Sequence, residues 1–84
     1  MTAAQFKSEL SKAQSLGSLE VDPDKAAYWQ AYCKGLRQNW HGDKFGTETG
    51  HDLLTEAATS VDAGRRTLGR GYRDGLNYGK GQAA

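Results

Sequence analysis

The chain has 84 residues, a hydrophobic content of 37% and a formal net charge of +1. A chain this short is one domain with a small core, burying only about 60% of the surface its unfolded form exposes, so its two tryptophans, four tyrosines and two phenylalanines must supply much of that core. The nearly balanced charge argues against a nucleic-acid mimic or a strongly basic DNA packager, and the single cysteine, Cys33, excludes an intrachain disulfide and suits a reducing cytoplasm.

Thr2 followed three residues later by Gln5 is a capping-box pattern, and Phe6, Leu10 and Ala13 recur at helical spacing as far as Gly17. A first helix is expected over 3–15. Asp22 before Pro23 is a start signal, because aspartate accepts from exposed amides and proline suits the first helical position. The second helix is expected over 23–40. Gly42 and Gly46 bracket a loop whose Phe45 is expected to turn back into the core. Thr49 with Asp52 is read as the cap of a third helix, and Leu53, Leu54, Ala57 and Ala58 supply its apolar face as it fades near Ser60, giving bounds of 50–60. Asp62 caps a fourth helix over 63–78, ended by Gly79 and Gly81 and followed by a frayed tail over 79–84. No run alternates with period two, so the fold class is all-α, a compact four-helix domain. No apolar run suggests a signal peptide or a membrane span, and the expectation is a soluble cytoplasmic protein with no membrane partner.

The segments from Val21 to Leu36 and from Val61 to Leu76 repeat valine, aspartate, tyrosine, glycine and leucine in register forty residues apart. The domain therefore reads as two pseudo-repeated helical hairpins. Ala31 and Gly35 in the second helix, and Gly71 and Gly75 in the fourth, are spaced four apart. Glycine within a helix costs about 1 kcal/mol against alanine, so its paired use points to a tight crossing of the second and fourth helices. The steric logic of small-residue spacing does not depend on lipid.

Functional signals lie where the two segments differ. Tyr28, Tyr32, Gly35 and Leu36 share one side of the second helix and Trp29, Cys33 and Trp40 an adjoining stripe, an apolar arc of about 200°. This makes the helix central or leaves aromatics for a partner, and tryptophan dominates binding hot spots. Cys33 itself is expected to be a buried small hydrophobe. Opposite Trp29 and Cys33 in the repeat stand Gly69 and Arg73, and Arg66, Arg70, Arg73 and Lys80 form a cationic stripe that Lys34 and Arg37 would enlarge. Such a stripe reads as a solvated face, as a protein-binding surface, or as a phosphate-binding one. The acidic segment from Gly46 to Asp62 beside the basic one after it suggests mutual attraction within the fold, with Arg65 near the core side and paired to an acid of the third helix.

His41 and His51 match no metal-ligand spacing, and His41 with Asp43 lacks an assignable nucleophile or oxyanion donor. The expectation is accordingly a non-enzymatic protein without cofactor or metal. The stretch from Tyr32 to Thr47, with Gly35-Leu36-Arg37 leading into Trp40-His41-Gly42 and Phe45-Gly46-Thr47, resembles short uncharacterised bacterial proteins carried near phage and mobile-element genes. That resemblance implies no residue roles. In size and compactness the chain is similar in type to anti-CRISPR proteins, which implies a protein-interaction module that inhibits or regulates a host complex. The partner-binding residues expected on this reading are Trp29, Trp40, Arg66, Arg70, Arg73, Lys80, Lys34 and Arg37. The alternative is a small nucleic-acid-binding protein using the basic last helix, and homodimerisation is open to either, since it would enlarge a small core.

Overall fold

The computed structural model describes residues 2–42 and 48–79, and among them there are four α-helices and no strand. The domain is all-α, as its periodicity predicts. The first helix, α1, spans Ala3–Leu19 and opens on a complete capping box, the Thr2 amide donating to Gln5 Oε1 at 2.8 Å and the Gln5 amide to Thr2 Oγ1 at 3.1 Å. It runs four residues beyond the expected end at 15, because Gly17 serves close approach. A Cβ there would stand 3.1 Å from the Cβ of Trp29. The helix ends at Leu19, since Glu20 is already extended at φ −78° and ψ 126°; Asp22, before Pro23, is extended as well, at φ −77° and ψ 121°.

The second helix, α2, spans Pro23–His41, capped by Asp22 Oδ1, which accepts from the Asp24 amide at 2.9 Å, and closed by Gly42 at φ 68°. The third, α3, spans Glu48–Ala57. It already contains Thr49, so Thr49 is not its cap, and it ends three residues before Ser60. There the Thr59 amide and hydroxyl both donate to the Glu56 carbonyl, at 3.1 Å and 3.0 Å, and draw the chain into a turn. The fourth, α4, spans Ala63–Asn77 behind Asp62, whose Oδ1 accepts from the Arg65 amide at 2.9 Å. Gly79 adopts φ 73° just past its end. The expected core role of Phe45, the role of Gly81 and the tail at 80–84 fall outside the described residues.

The helices form two antiparallel hairpins. Gly17 meets Trp29 at one end of the first while Phe6 stacks on Trp40 at the other; in the second, Gly69 meets Ala57 and Ala58, and His51 meets Tyr72. The inner helices α2 and α4 run parallel. A Cβ on Gly71 would strike the Tyr28 carbonyl oxygen, one on Gly75 the Tyr32 carbonyl oxygen, and one on Gly35 the Tyr72 carbonyl oxygen. The crossing inferred from small-residue spacing is thus a backbone-to-backbone seam, reciprocal between Gly35 and Gly75. Asn39 reinforces its far end, donating from Nδ2 to the carbonyls of Gly75 at 3.2 Å and Tyr78 at 3.0 Å.

The core is built around α2. Phe6, Ala13, Tyr32, Cys33 and Leu36 form its buried cluster, with Leu10, Tyr28, Trp29 and Tyr78 packed on the margin. Leu36 is completely buried and Tyr72 nearly so. Among the described residues, no helix is long and apolar enough to cross a membrane.

Candidate functional site

The glycine seam determines which side chains remain free for other work. Gly71 and Gly75 turn one side of α4 onto α2, and at about 100° per residue the stripe of Arg66, Arg70 and Arg73 projects to the opposite side. Arg70 and Arg73 are exposed and Arg66 is half-buried. Three guanidinium-bearing positions therefore lie along about 10 Å of one helix, at ~1.5 Å per residue. No α3–α4 ion pair forms among the described residues. A close charge pair, Lys12 with Glu9 at 3.8 Å, lies within α1. Among the described residues the two segments are thus not joined by close ion pairs, and the contacts seen between α3 and α4 are Gly69 on Ala57 and Ala58 and His51 on Tyr72. Arg65 also departs from expectation and is exposed. Because α3 runs antiparallel to α4 and its last turn lies against Gly69, Arg65 stands beyond its end, with no acid of α3 at that level.

Asp74, beside the stripe, is engaged elsewhere. The Tyr28 hydroxyl donates to Asp74 Oδ2 at 2.5 Å, linking α2 to α4. Burial, then this hydrogen bond and the nearby carboxylate charge, push the Tyr28 phenol well above its usual range, while Arg73 pulls the other way. Burial, with Glu9 as the leading charge, pushes Tyr32 up to about 12. On the α3 side the Tyr72 hydroxyl and His51 Nδ1 share a hydrogen bond of 2.6 Å, and burial again raises the phenol. Burial thus favours the protonated form of all three phenols, and Tyr28 and Tyr72 act as ties between helices.

The other expected binding residues divide between two places. Trp29, Lys34 and Arg37 line a groove of about 390 Å³ between α1 and α2, together with Gln14, Gly17, Gln30 and Cys33. None of the α4 arginines lines it, so the structure does not unite Lys34 and Arg37 with the arginine stripe. Trp29 is half-buried and packs steeply against Tyr28 and Tyr32, with centroids 5.1 Å and 5.4 Å away. Trp40 is 39% exposed and lies flat on Phe6, 5.3 Å between centroids and 11° between planes. Lys80 lies outside the described residues.

Cys33 is buried on the groove floor as a small hydrophobe. Burial raises its thiol although Arg37 opposes the shift, so it is not poised as a nucleophile. His41 is exposed and meets Phe6 edge-on at 5.8 Å; Asp43, its sequence neighbour in the enzymatic reading, lies outside the described residues. Among the described residues no three His, Cys, Asp or Glu side chains are grouped to hold a metal ion. The Tyr28–Asp74, His51–Tyr72 and Asn39 contacts join residues at least 21 positions apart and carry no signal at the level of helical spacing. No protein-family model, curated protein or solved structure matches the chain.

Proposed function

We propose that this protein is a non-enzymatic helical interaction module that engages an acidic surface of a protein partner through Arg66, Arg70 and Arg73. The observation that carries the proposal is that Arg70 and Arg73 are exposed on the face of α4 turned away from the seam, while the nearby Asp74 is occupied by Tyr28. Arginine is suited to this task because its planar fork pairs bidentately with carboxylates and is weakly hydrated. Trp40, exposed at the far end of α2, supplies an aromatic contact. Small size and an interaction surface of this kind fit the inhibitors and regulators of host complexes that phages and mobile elements encode, the class represented by anti-CRISPR proteins.

Affinity capture from bacterial lysate with the wild-type chain and an Arg70→Glu/Arg73→Glu variant tests this reading. A protein retained by the first, lost by the second and insensitive to nuclease is the expected result. Capture that survives charge reversal would overturn it. Capture abolished by nuclease and falling steeply with salt would instead support the nucleic-acid reading.

A further inference from the structure

The groove between α1 and α2 has a chemistry separate from the arginine stripe. Its lining carries two cations, Lys34 and Arg37, and no carboxylate, so an anion is favoured there. Trp29 also lines it, its indole held steeply against Tyr28 and Tyr32. From Trp29 to Lys34 and Arg37 the helix rises about 7 to 12 Å, at ~1.5 Å per residue. Gln14 and Gln30 between them offer both donors and acceptors. The volume, about 390 Å³, falls at the lower end of the range for small-molecule sites, roughly 300 to 1,000 Å³.

We propose that this groove binds a mononucleotide-type ligand, with its phosphate between Lys34 and Arg37 and its planar base against Trp29. An anion alone would use the cations and leave the tryptophan idle. A glutamate-rich peptide would meet the cations and could pair its backbone with the amides, but it carries no ring for the tryptophan. A ring joined to a phosphate uses all of them, since bases stack on aromatic side chains and phosphates pair with guanidinium. The site is shaped by Gly17, which lets α1 pass the Cβ of Trp29, whereas Lys34 is exposed and ready to meet the anion.

Titrating adenosine monophosphate into the isotope-labelled protein and following the two indole N–H resonances tests the proposal. Trp40, stacked on Phe6 outside the groove, is the internal control. The expected result is a saturable shift of the Trp29 resonance, in the sub-millimolar range, without a matching shift of Trp40. Arg37→Gln and the exposed Lys34→Gln should each weaken binding by about tenfold with the amide spectrum otherwise preserved. Adenosine and inorganic phosphate, tried separately, should each bind at least about tenfold more weakly than the nucleotide. The proposal is overturned by an unmoved Trp29 resonance at ~10 mM nucleotide, by indistinguishable shifts of both indoles, or by affinity unaffected in both variants. Inorganic phosphate binding as tightly as the nucleotide, or a glutamate-rich peptide binding more tightly, would also overturn it.

Discussion

In the first hairpin α1 passes α2 with Gly17 against the Cβ of Trp29; in the second, α3 passes α4 with Gly69 against the backbone of Ala57 and Ala58. Trp29 and Gly69 occupy equivalent places in the forty-residue register, so the large and the small partner have changed sides. In the first hairpin an indole stands at the edge of the contact and borders a groove. In the second there is no side chain at that position, and α3 lies directly on α4. The inner seam is the same kind of contact from both sides, since Gly35 and Gly75 each accept a tyrosine carbonyl of the other helix. The scaffold thus resides where the segments agree. Their differences serve two purposes: Trp29 against Gly69 is a difference in packing that also shapes a groove, and Cys33 against Arg73 exchanges a buried thiol for an exposed cation.

The largest effect should come from adding a methyl group where only backbone can yield. Gly75→Ala and Gly69→Ala place a Cβ against the Tyr32 carbonyl and the Ala58 amide respectively. Overpacking of a tight contact costs about 1–3 kcal/mol and sometimes more, and alanine's better helix propensity returns only about 1 kcal/mol. Because the opposing atoms are backbone and cannot swing aside, the cost should lie at or above the top of that range, and urea unfolding should show a net loss of about 2 kcal/mol or more for each. A neutral result at Gly69 would mean that α3 can lift from α4 at little cost, removing the contrast between the hairpins.

Alkaline titration should produce the next effect. Tyr32 is held protonated up to about 12 against an ordinary 10.0, mainly by burial. A group with a raised folded-state value binds its proton more tightly when folded, so its contribution is complete below pH 10 and is lost as pH rises toward 12. Tyr28 shifts in the same direction. Stability measured by denaturant should therefore be insensitive to these phenols at neutral pH and fall above pH 10. Residue-resolved NMR titration showing Tyr28 or Tyr32 ionising at ordinary tyrosine values in the folded protein would contradict the burial of this cluster. The smallest effect in the glycine series belongs to Gly17→Ala, where the opposing atom is a side-chain Cβ at 3.1 Å. Crowding and helix propensity nearly offset there, and a change within about 0.5 kcal/mol is expected. A loss as large as that of Gly69→Ala would show that the two hairpins are equally tight.

Helix identities were readable because capping and periodicity are local. Thr2 with Gln5, Asp22 with Pro23, and Asp62 each act within a few residues of themselves. The crossing was readable because four-residue spacing of small side chains has few uses inside a helix. Gly17 misled for the same local reason: a glycine that ends a helix and one that admits a tryptophan look identical in sequence, and only the neighbour distinguishes them. Arg65 misled because its pairing depended on where α3 ends relative to α4. Of the candidate site, the residue types were legible and their grouping was not. Lys34 and Arg37 join Trp29 in a groove instead of extending the arginine stripe. The direction of α2 relative to α4 and the Tyr28–Asp74 link are properties of the assembled fold.

If the outward face of α4 serves a partner, as proposed, it should be dispensable to the fold. Equilibrium urea unfolding of an Arg70→Ala/Arg73→Ala variant tests it most directly, because both residues are exposed and face away from the seam. Stability should stay within about 0.5 kcal/mol of wild type, as for surface changes that break no structural contact. A loss of about 2 kcal/mol or more would contradict this by showing that these arginines hold the domain together.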